Sequence, residues 1–150
     1  MLAKIAATVV LVGIILGMLL FFTHPASSTY RMTTVTIGST TISAKIADTD
    51  ALRELGLSGT QSLPQGQGML FIFQTPGNYA FWMKDMNYAL DILWANASGT
   101  ITTIHPNLSP QTYPQAFYPQ TPDALYVLEV PAGYSAEKNI KVGDTMQIVQ

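Results

Sequence analysis

Four charged side chains stand where chemistry is conceivable: Lys84, Asp85, Asp91 and Glu129. Lys84 and Asp85 close an aromatic run, Tyr79-Ala80-Phe81-Trp82-Met83. The stretches 55–83 and 92–122 contain no Asp, Glu, Lys or Arg at all. Asp91 lies between Leu90 and Ile92, and Glu129 between Leu128 and Val130. On strands, each carboxylate then faces away from its apolar neighbours. Two strand-borne carboxylates near a lysine are the parts of an acid–base pair, as a hydrolase or lyase would use them, with Lys84 as electrostatic partner. The same residues have a structural reading, in which Lys84 pairs with Asp91 or Glu129 and closes the end of a sheet. Buried ions are ordinarily paired, and plain ion-pair networks perturb charged groups as active sites do, so the structural reading is favoured. Either way, Lys84 is expected within ion-pair reach of one carboxylate, beside Trp82 or Tyr79, at the rim of a concave surface.

The aromatic residues offer a second kind of chemistry. Phe81 and Trp82 alternate faces, so one enters the core and the other lines a surface. An outward Trp82 near Tyr79 and Tyr88 would form a stacking platform for a sugar ring or an apolar side chain. Tyr113, Phe117 and Tyr118 sit in a proline-rich stretch without strand or helix periodicity, which suits the cover of a groove. The candidate ligand contacts are therefore Tyr79, Trp82, Lys84, Asp85, Tyr113 and Tyr118. Other chemistries are excluded. There is no cysteine, hence no thiol nucleophile or thiolate metal site. His105 is the only histidine after the N-terminal region and has no partner at metal-ligand spacing. No Gly-x-Ser-x-Gly and no phosphate-binding glycine loop is present. No metal and no cofactor are expected. A net charge of −2 supplies no basic stripe for nucleic acid.

These residues must be positioned by a small framework. Ile5 to Phe22 is an uncharged apolar run of 18 residues, which as a helix spans about 27 Å and suits a bilayer core. Lys4 precedes it and a polar segment follows, so the remainder is expected outside the cytoplasm. The run exceeds the apolar core of an ordinary signal peptide, which favours a single-pass signal anchor over 1–22 with a tether over 23–31. Cleavage near Ala26–Ser28 and secretion is the alternative. Residues 32–150 then form one exported, all-β domain. Val35, Ile37, Ile42, Ala44 and Ile46 alternate about Gly38-Ser39, predicting a hairpin. Asp48 or Thr49 caps a two-turn helix that stops at Gly56. Strands are expected at Gly68–Phe73 and Tyr79–Lys84, joined by the turn 75–78. A hairpin is expected from Tyr88–Ala95 and Thr100–Ile104 about Asn96–Gly99. Pro106–Pro122 reads as a long loop, Ala124–Val130 as a strand, Ser135–Asn139 as a helical turn and Thr145–Val149 as a last strand. Leu70, Ile72, Leu90, Ile92, Leu128 and Val130 are the expected core. Short strands with turns at regular spacing predict a β-sandwich or jelly-roll-like domain with one or two short helices.

Several of these segments occur together as a series: Gly68-Met69-Leu70-Phe71, Phe81-Trp82-Met83-Lys84, Leu90-Asp91-Ile92, Val127-Leu128-Glu129-Val130 before Pro131-Ala132-Gly133, and Gly143-Asp144. From Thr34 to Val149 the chain resembles the uncharacterised prokaryotic family catalogued as domain of unknown function one-nine-two. The resemblance implies one β-sandwich-like domain, often behind a signal or membrane segment, with no established activity. Departures lie at Arg53–Ser58, where that family carries a basic residue and Gly-Leu-Met, and at Asp85, where it carries Asn.

Three functional readings follow. The first is a membrane-anchored binding module for an envelope glycan or an extended peptide, gripped by Tyr79, Trp82 and the 106–122 stretch. The second is a hydrolase or lyase built on Asp91, Glu129 and Lys84. The third is an envelope scaffold that assembles through its sheet edge or loop aromatics. The first is preferred.

Overall fold

The computed structural model describes residues 30–149. The expected membrane segment and the tether before residue 30 lie outside the described residues. Among the described residues, no helix is long and apolar enough to cross a membrane.

Alternating β-branched residues make β1 (Met32–Ile37) and β2 (Thr40–Ala47) the expected antiparallel hairpin. α1 (Asp50–Leu55) follows, with the Thr49 hydroxyl accepting from the Leu52 N–H at 3.3 Å and Gly56 ending it. β3 (Gln67–Gly77) then runs parallel to β2. Parallel neighbours need a crossover, and residues 48–66 supply it, laying Leu52 and Leu57 over one face of the sheet. β8 (Ala124–Pro131) pairs antiparallel with β3 on one side and β5 (Leu90–Asn96) on the other. β6 (Ile101–Leu108) completes the hairpin with β5, and β9 (Met146–Val149) pairs with β1. The result is one seven-stranded sheet in the order β6-β5-β8-β3-β2-β1-β9.

The two ends of this sheet meet. Thr100 bridges Thr145, the Ile101 N–H donates to the Asp144 carbonyl at 2.8 Å, and the Met146 N–H donates to the Gly99 carbonyl at 2.8 Å. Gly99 sits at φ +81, and a Cβ there would lie 2.4 Å from the Met146 carbonyl oxygen. Only glycine permits that approach.

The sheet thus curls around an inner core of Val35, Ile42, Leu70, Leu93, Leu128 and Tyr134, among others. Its outer face carries a second core, including Met69, Phe71, Ile92, Trp94 and Val127, roofed by the crossover and by residues 79–88. Burial on both faces explains why β5 is apolar almost throughout, as strands covered on two sides are. Of the expected core, Leu70, Leu90, Ile92, Leu128 and Val130 are buried, while Ile72 is half-buried.

The mostly-β expectation is met, but not as two facing sheets. β2 and β8 occupy both edges of β3, so the expected hairpin of Gly68–Phe73 with Tyr79–Lys84 has no edge on which to form. The second segment contributes only β4 (Phe81–Trp82), which pairs with β7 (Ala116–Phe117) in a separate two-stranded ribbon. The 106–122 stretch is correspondingly less irregular than expected: it includes the end of β6, a 3-10 turn at Pro110–Thr112 and β7. α2 (Tyr134–Glu137) is the expected helical turn.

Candidate functional site

On the outer face, two roof segments stand apart and leave a cleft of about 290 Å³. One wall is α1 and the chain after it, through Arg53, Leu55, Leu57 and Ser58. The other is Tyr79, Phe81, Trp82, Lys84 and Met86, and the floor is Phe71, Phe73 and Glu129. Polar contacts hold both walls. The Arg53 guanidinium donates to the Ile72 carbonyl at 2.7 Å, fixing α1 to β3. The Gly59 N–H donates to the Asp85 carbonyl at 2.8 Å and the Asn87 amide to the Thr60 carbonyl at 2.8 Å, tying the walls together at one end. Trp94, fully buried in β5, donates its indole N–H to the Tyr79 carbonyl at 2.9 Å. Tyr79 in turn stacks on Phe73 with ring centroids 3.5 Å apart.

Glu129 is the polar group of the floor. Its Cα partners are Ile92 on β5 and Met69 on β3, residues of the outer core, so its side chain belongs to that layer. It is 5 % exposed, and its Oε2 is buried with no hydrogen-bond partner among the described residues. Gly68 keeps the neighbouring backbones close here: a Cβ would lie 2.7 Å from the Glu129 carbonyl oxygen. Burial pushes the carboxyl up from 4.5 to about 8, because desolvation disfavours the charged form. At neutral pH Glu129 is therefore a carboxylic acid, able to donate one hydrogen bond and accept others. The Tyr88 hydroxyl is also raised, first by burial and further by the charge of Glu129, against a lowering bond to Thr60. Buried polar groups are overwhelmingly satisfied, by protein or by water, so an unpartnered oxygen beneath the floor of a cleft sets that cleft apart.

The structure brings Tyr79, Trp82, Lys84 and Glu129 into this one cleft. Lys84 is not ion-paired as expected. The pairs among the described residues are Arg31–Asp48, Arg53–Asp50 and Lys138–Glu137, and Lys84 is solvent-exposed at the rim. β4 ends at Trp82 and the chain turns at Asp85, φ 55, which carries Lys84 outward. Asp85 lies in a shallower depression with Ala51, Glu54 and Ser58. Its left-handed backbone suits Asn and Asp alike, which accounts for the departure from the resembled family at that position.

Asp91 is elsewhere. Its Cα partner on β8 is Val130, one residue beyond Glu129, so the two carboxylates project from opposite faces of the sheet. The carboxylate pair that a hydrolase or lyase reading requires is not formed. Asp91 Oδ1 accepts from the N–H groups of Asn107 at 2.8 Å and Gly133 at 2.9 Å. Oδ2 accepts from the Ser135 N–H at 2.9 Å and its hydroxyl at 2.5 Å. This carboxylate is a fully used structural tie between β5, β6 and the start of α2.

Tyr113 sets its ring against Trp82, centroids 6.1 Å apart at 72°. Tyr118 is exposed and absent from the cleft lining; its carbonyl is 2.9 Å from His105 Nε2. Arg53, Glu54, Phe71, Phe73 and Met86 line the cleft without having been singled out from the sequence. The only forewarning was that Arg53–Ser58 departs from the resembled family, since the crossover that brings α1 over Phe71 is a property of strand pairing.

The DUF192 family model, whose description is "Uncharacterized ACR", matches residues 32–148. Among solved structures, a Sinorhizobium meliloti 1021 protein provisionally described as a transcription regulator superposes with a TM-score of 0.77 at 29 % identity, over 82 % of this chain and 98 % of its own. A Novosphingobium aromaticivorans DSM 12444 protein of unknown function gives 0.75 at 28 % identity, over 83 % of this chain and 89 % of its own. No curated protein matches the chain.

Proposed function

The chain belongs to the DUF192 family, and from that footing we propose that it is a membrane-anchored, extracytoplasmic binding module whose outer-face cleft takes a neutral envelope glycan. The observation that carries this reading is Glu129: a buried acid whose Oε2 has no partner among the described residues, set in the floor of an aromatic cleft. A neutral carboxyl both donates and accepts, which matches a sugar hydroxyl. Phe71, Phe73, Tyr79, Phe81 and Trp82 supply the apolar surface against which the carbon faces of a sugar ring pack. Pockets that combine apolar surface with placed polar groups, here Arg53, Glu54, Lys84 and Glu129, are the usual form of small-ligand sites.

An extended peptide fits less well. Over Met69–Phe71 the floor strand β3 is paired with β2 on one side and β8 on the other, so no added strand pairs with that part of the floor. The regulator description of the Sinorhizobium structure is not carried over, since a net charge of −2 lacks the electrostatic footprint of a nucleic-acid binder. The anchored, exported placement rests on the apolar run Ile5–Phe22.

Calorimetric titration of the full chain in detergent with the β-1,4-linked tetramers of N-acetylglucosamine and of glucose tests the reading. Saturable binding is expected with at least one of them. Glu129→Leu and Trp82→Ala should each weaken it about tenfold or more, the equivalent of about 1.4 kcal/mol, with the unfolding transition retained. Binding unchanged in Glu129→Leu, or no binding to either tetramer, would overturn it.

A further inference from the structure

Trp82 belongs to two surfaces. It lines the Glu129 cleft, and it also meets Tyr113 edge to face outside it. The alternation in β4 explains how. Phe81 turns inward, with edge contacts to Phe71 at 4.8 Å and Trp94 at 5.7 Å, so the next side chain, Trp82, turns out. Tyr113 reaches it from the 3-10 turn, where its N–H donates to the Pro110 carbonyl at 3.3 Å. The two-rung pairing of β4 with β7, Phe81 with Phe117 and Trp82 with Ala116, fastens that loop beside the cleft. Trp82 is nevertheless 55 % exposed and Tyr113 46 %. Edge to face at 72°, the two rings still leave an exposed aromatic patch of the kind that marks an interaction site.

The residues around Tyr113 indicate what the outer part of this surface accepts. Tyr113 lies in a stretch devoid of charged residues, 92–122, while Trp82 shares the cleft with Arg53, Glu54 and Lys84. The residues flanking Tyr113 are Gln111, Thr112, Pro114 and Gln115, uncharged and able to meet hydroxyl and amide groups. Trp82 is the link between the two, lining the cleft and contacting Tyr113.

We infer that Trp82 and Tyr113 form a second subsite continuous with the Glu129 cleft, so that the ligand is a linear, uncharged oligosaccharide bound along at least two residues. This rests on the glycan reading of the cleft and adds chain length and direction to it. Stacking of sugar faces on Trp82 and Tyr113 holds the units beyond the one that meets Glu129.

The test is calorimetric titration of the full chain in detergent with monomer through pentamer of β-1,4-linked N-acetylglucosamine and, separately, of β-1,4-linked glucose. The better-bound series should gain about tenfold or more in affinity between monomer and trimer. Tyr113→Ala should abolish most of that gain and leave monomer affinity within about twofold, while Glu129→Leu weakens every length. Tyr113→Phe, which keeps the ring, should retain the gain. Glu129-sensitive monomer binding without any gain from length, or a gain indifferent to Tyr113→Ala, would overturn the second subsite while leaving the cleft reading intact. Failure of both series to bind at any length would overturn both. Binding of decaproline that depends on Trp82 and Tyr113, with no saccharide bound, would reassign the surface to an uncharged peptide and overturn the inference.

Discussion

Asp91→Ala should destabilise the domain by about 3–5 kcal/mol, a large share of the 5–15 kcal/mol that holds a typical domain together. The wild-type carboxylate is fully buried and accepts from three backbone N–H groups and one hydroxyl. Truncation leaves those donors in a dry site, at roughly 1–3 kcal/mol for each that water does not reach. Asp91→Asn should be nearly as damaging, because either amide orientation points N–H groups at a pair of donors: Asn107 and Gly133 on one side, Ser135 on the other. Denaturant unfolding checks this. A loss below about 1 kcal/mol in both variants would show that Asp91 is not the tie between β5, β6 and α2. Where the variants still fold in the cold, glycan binding should persist, since Asp91 lies on the face away from the cleft.

Glu129→Gln should change how stability depends on pH. The folded carboxyl sits at about 8 against an ordinary 4.5. Below about 4.5 both folded and unfolded chains hold the proton, and the group contributes nothing. Between there and about 8 the unfolded chain ionises while the folded chain keeps its proton, so stability falls as pH rises. The slope approaches about 1.4 kcal/mol per pH unit, and the accumulated burden above pH 8 is on the order of 3–5 kcal/mol. Gln cannot ionise. Glu129→Gln should match the wild type near pH 4.5 and exceed it increasingly towards pH 8.5. Parallel stability profiles for the two proteins would contradict a buried, protonated Glu129. The groups that could modulate the profile are Tyr88, whose hydroxyl responds to Glu129, and Arg53, Glu54, Tyr79 and Lys84 of the cleft lining.

Local structure was legible where local chemistry decides it. The Gly38-Ser39 and Asn96–Gly99 turns, the Thr49 and Gly56 ends of α1, and most of the expected core follow from alternation, capping and turn residues. The architecture was not, because β8 inserts between β5 and β3 and β2 runs parallel to β3, pairings between segments far apart in the chain. The same limit hid the site. Asp91 and Glu129 have identical apolar flanks, so alternation makes them look equivalent. Only the register, with Asp91 opposite Val130 and Ile92 opposite Glu129, puts one in a saturated tie and the other under a cleft. Tyr79, Trp82 and Lys84 were identifiable because they cluster in the chain. Glu54 and Phe73 were not, since the crossover and a stacking partner 6 residues away brought them there.

The proposed glycan site requires that Glu129 be protonated and able to meet a ligand in the cleft. The most direct measurement of this is the side-chain carboxyl ¹³C shift of Glu129 across pH 4 to 10, assigned by comparison with Glu129→Gln, with and without the saturating β-1,4-linked tetramer. The expected result is a free-protein titration near 8 that moves higher on binding, because a sugar hydroxyl accepting from the acid favours the protonated form. Affinity should fall correspondingly as pH rises past 8. A Glu129 carboxyl that titrates near 4.5, or one that titrates near 8 but is untouched by bound tetramer, would contradict it.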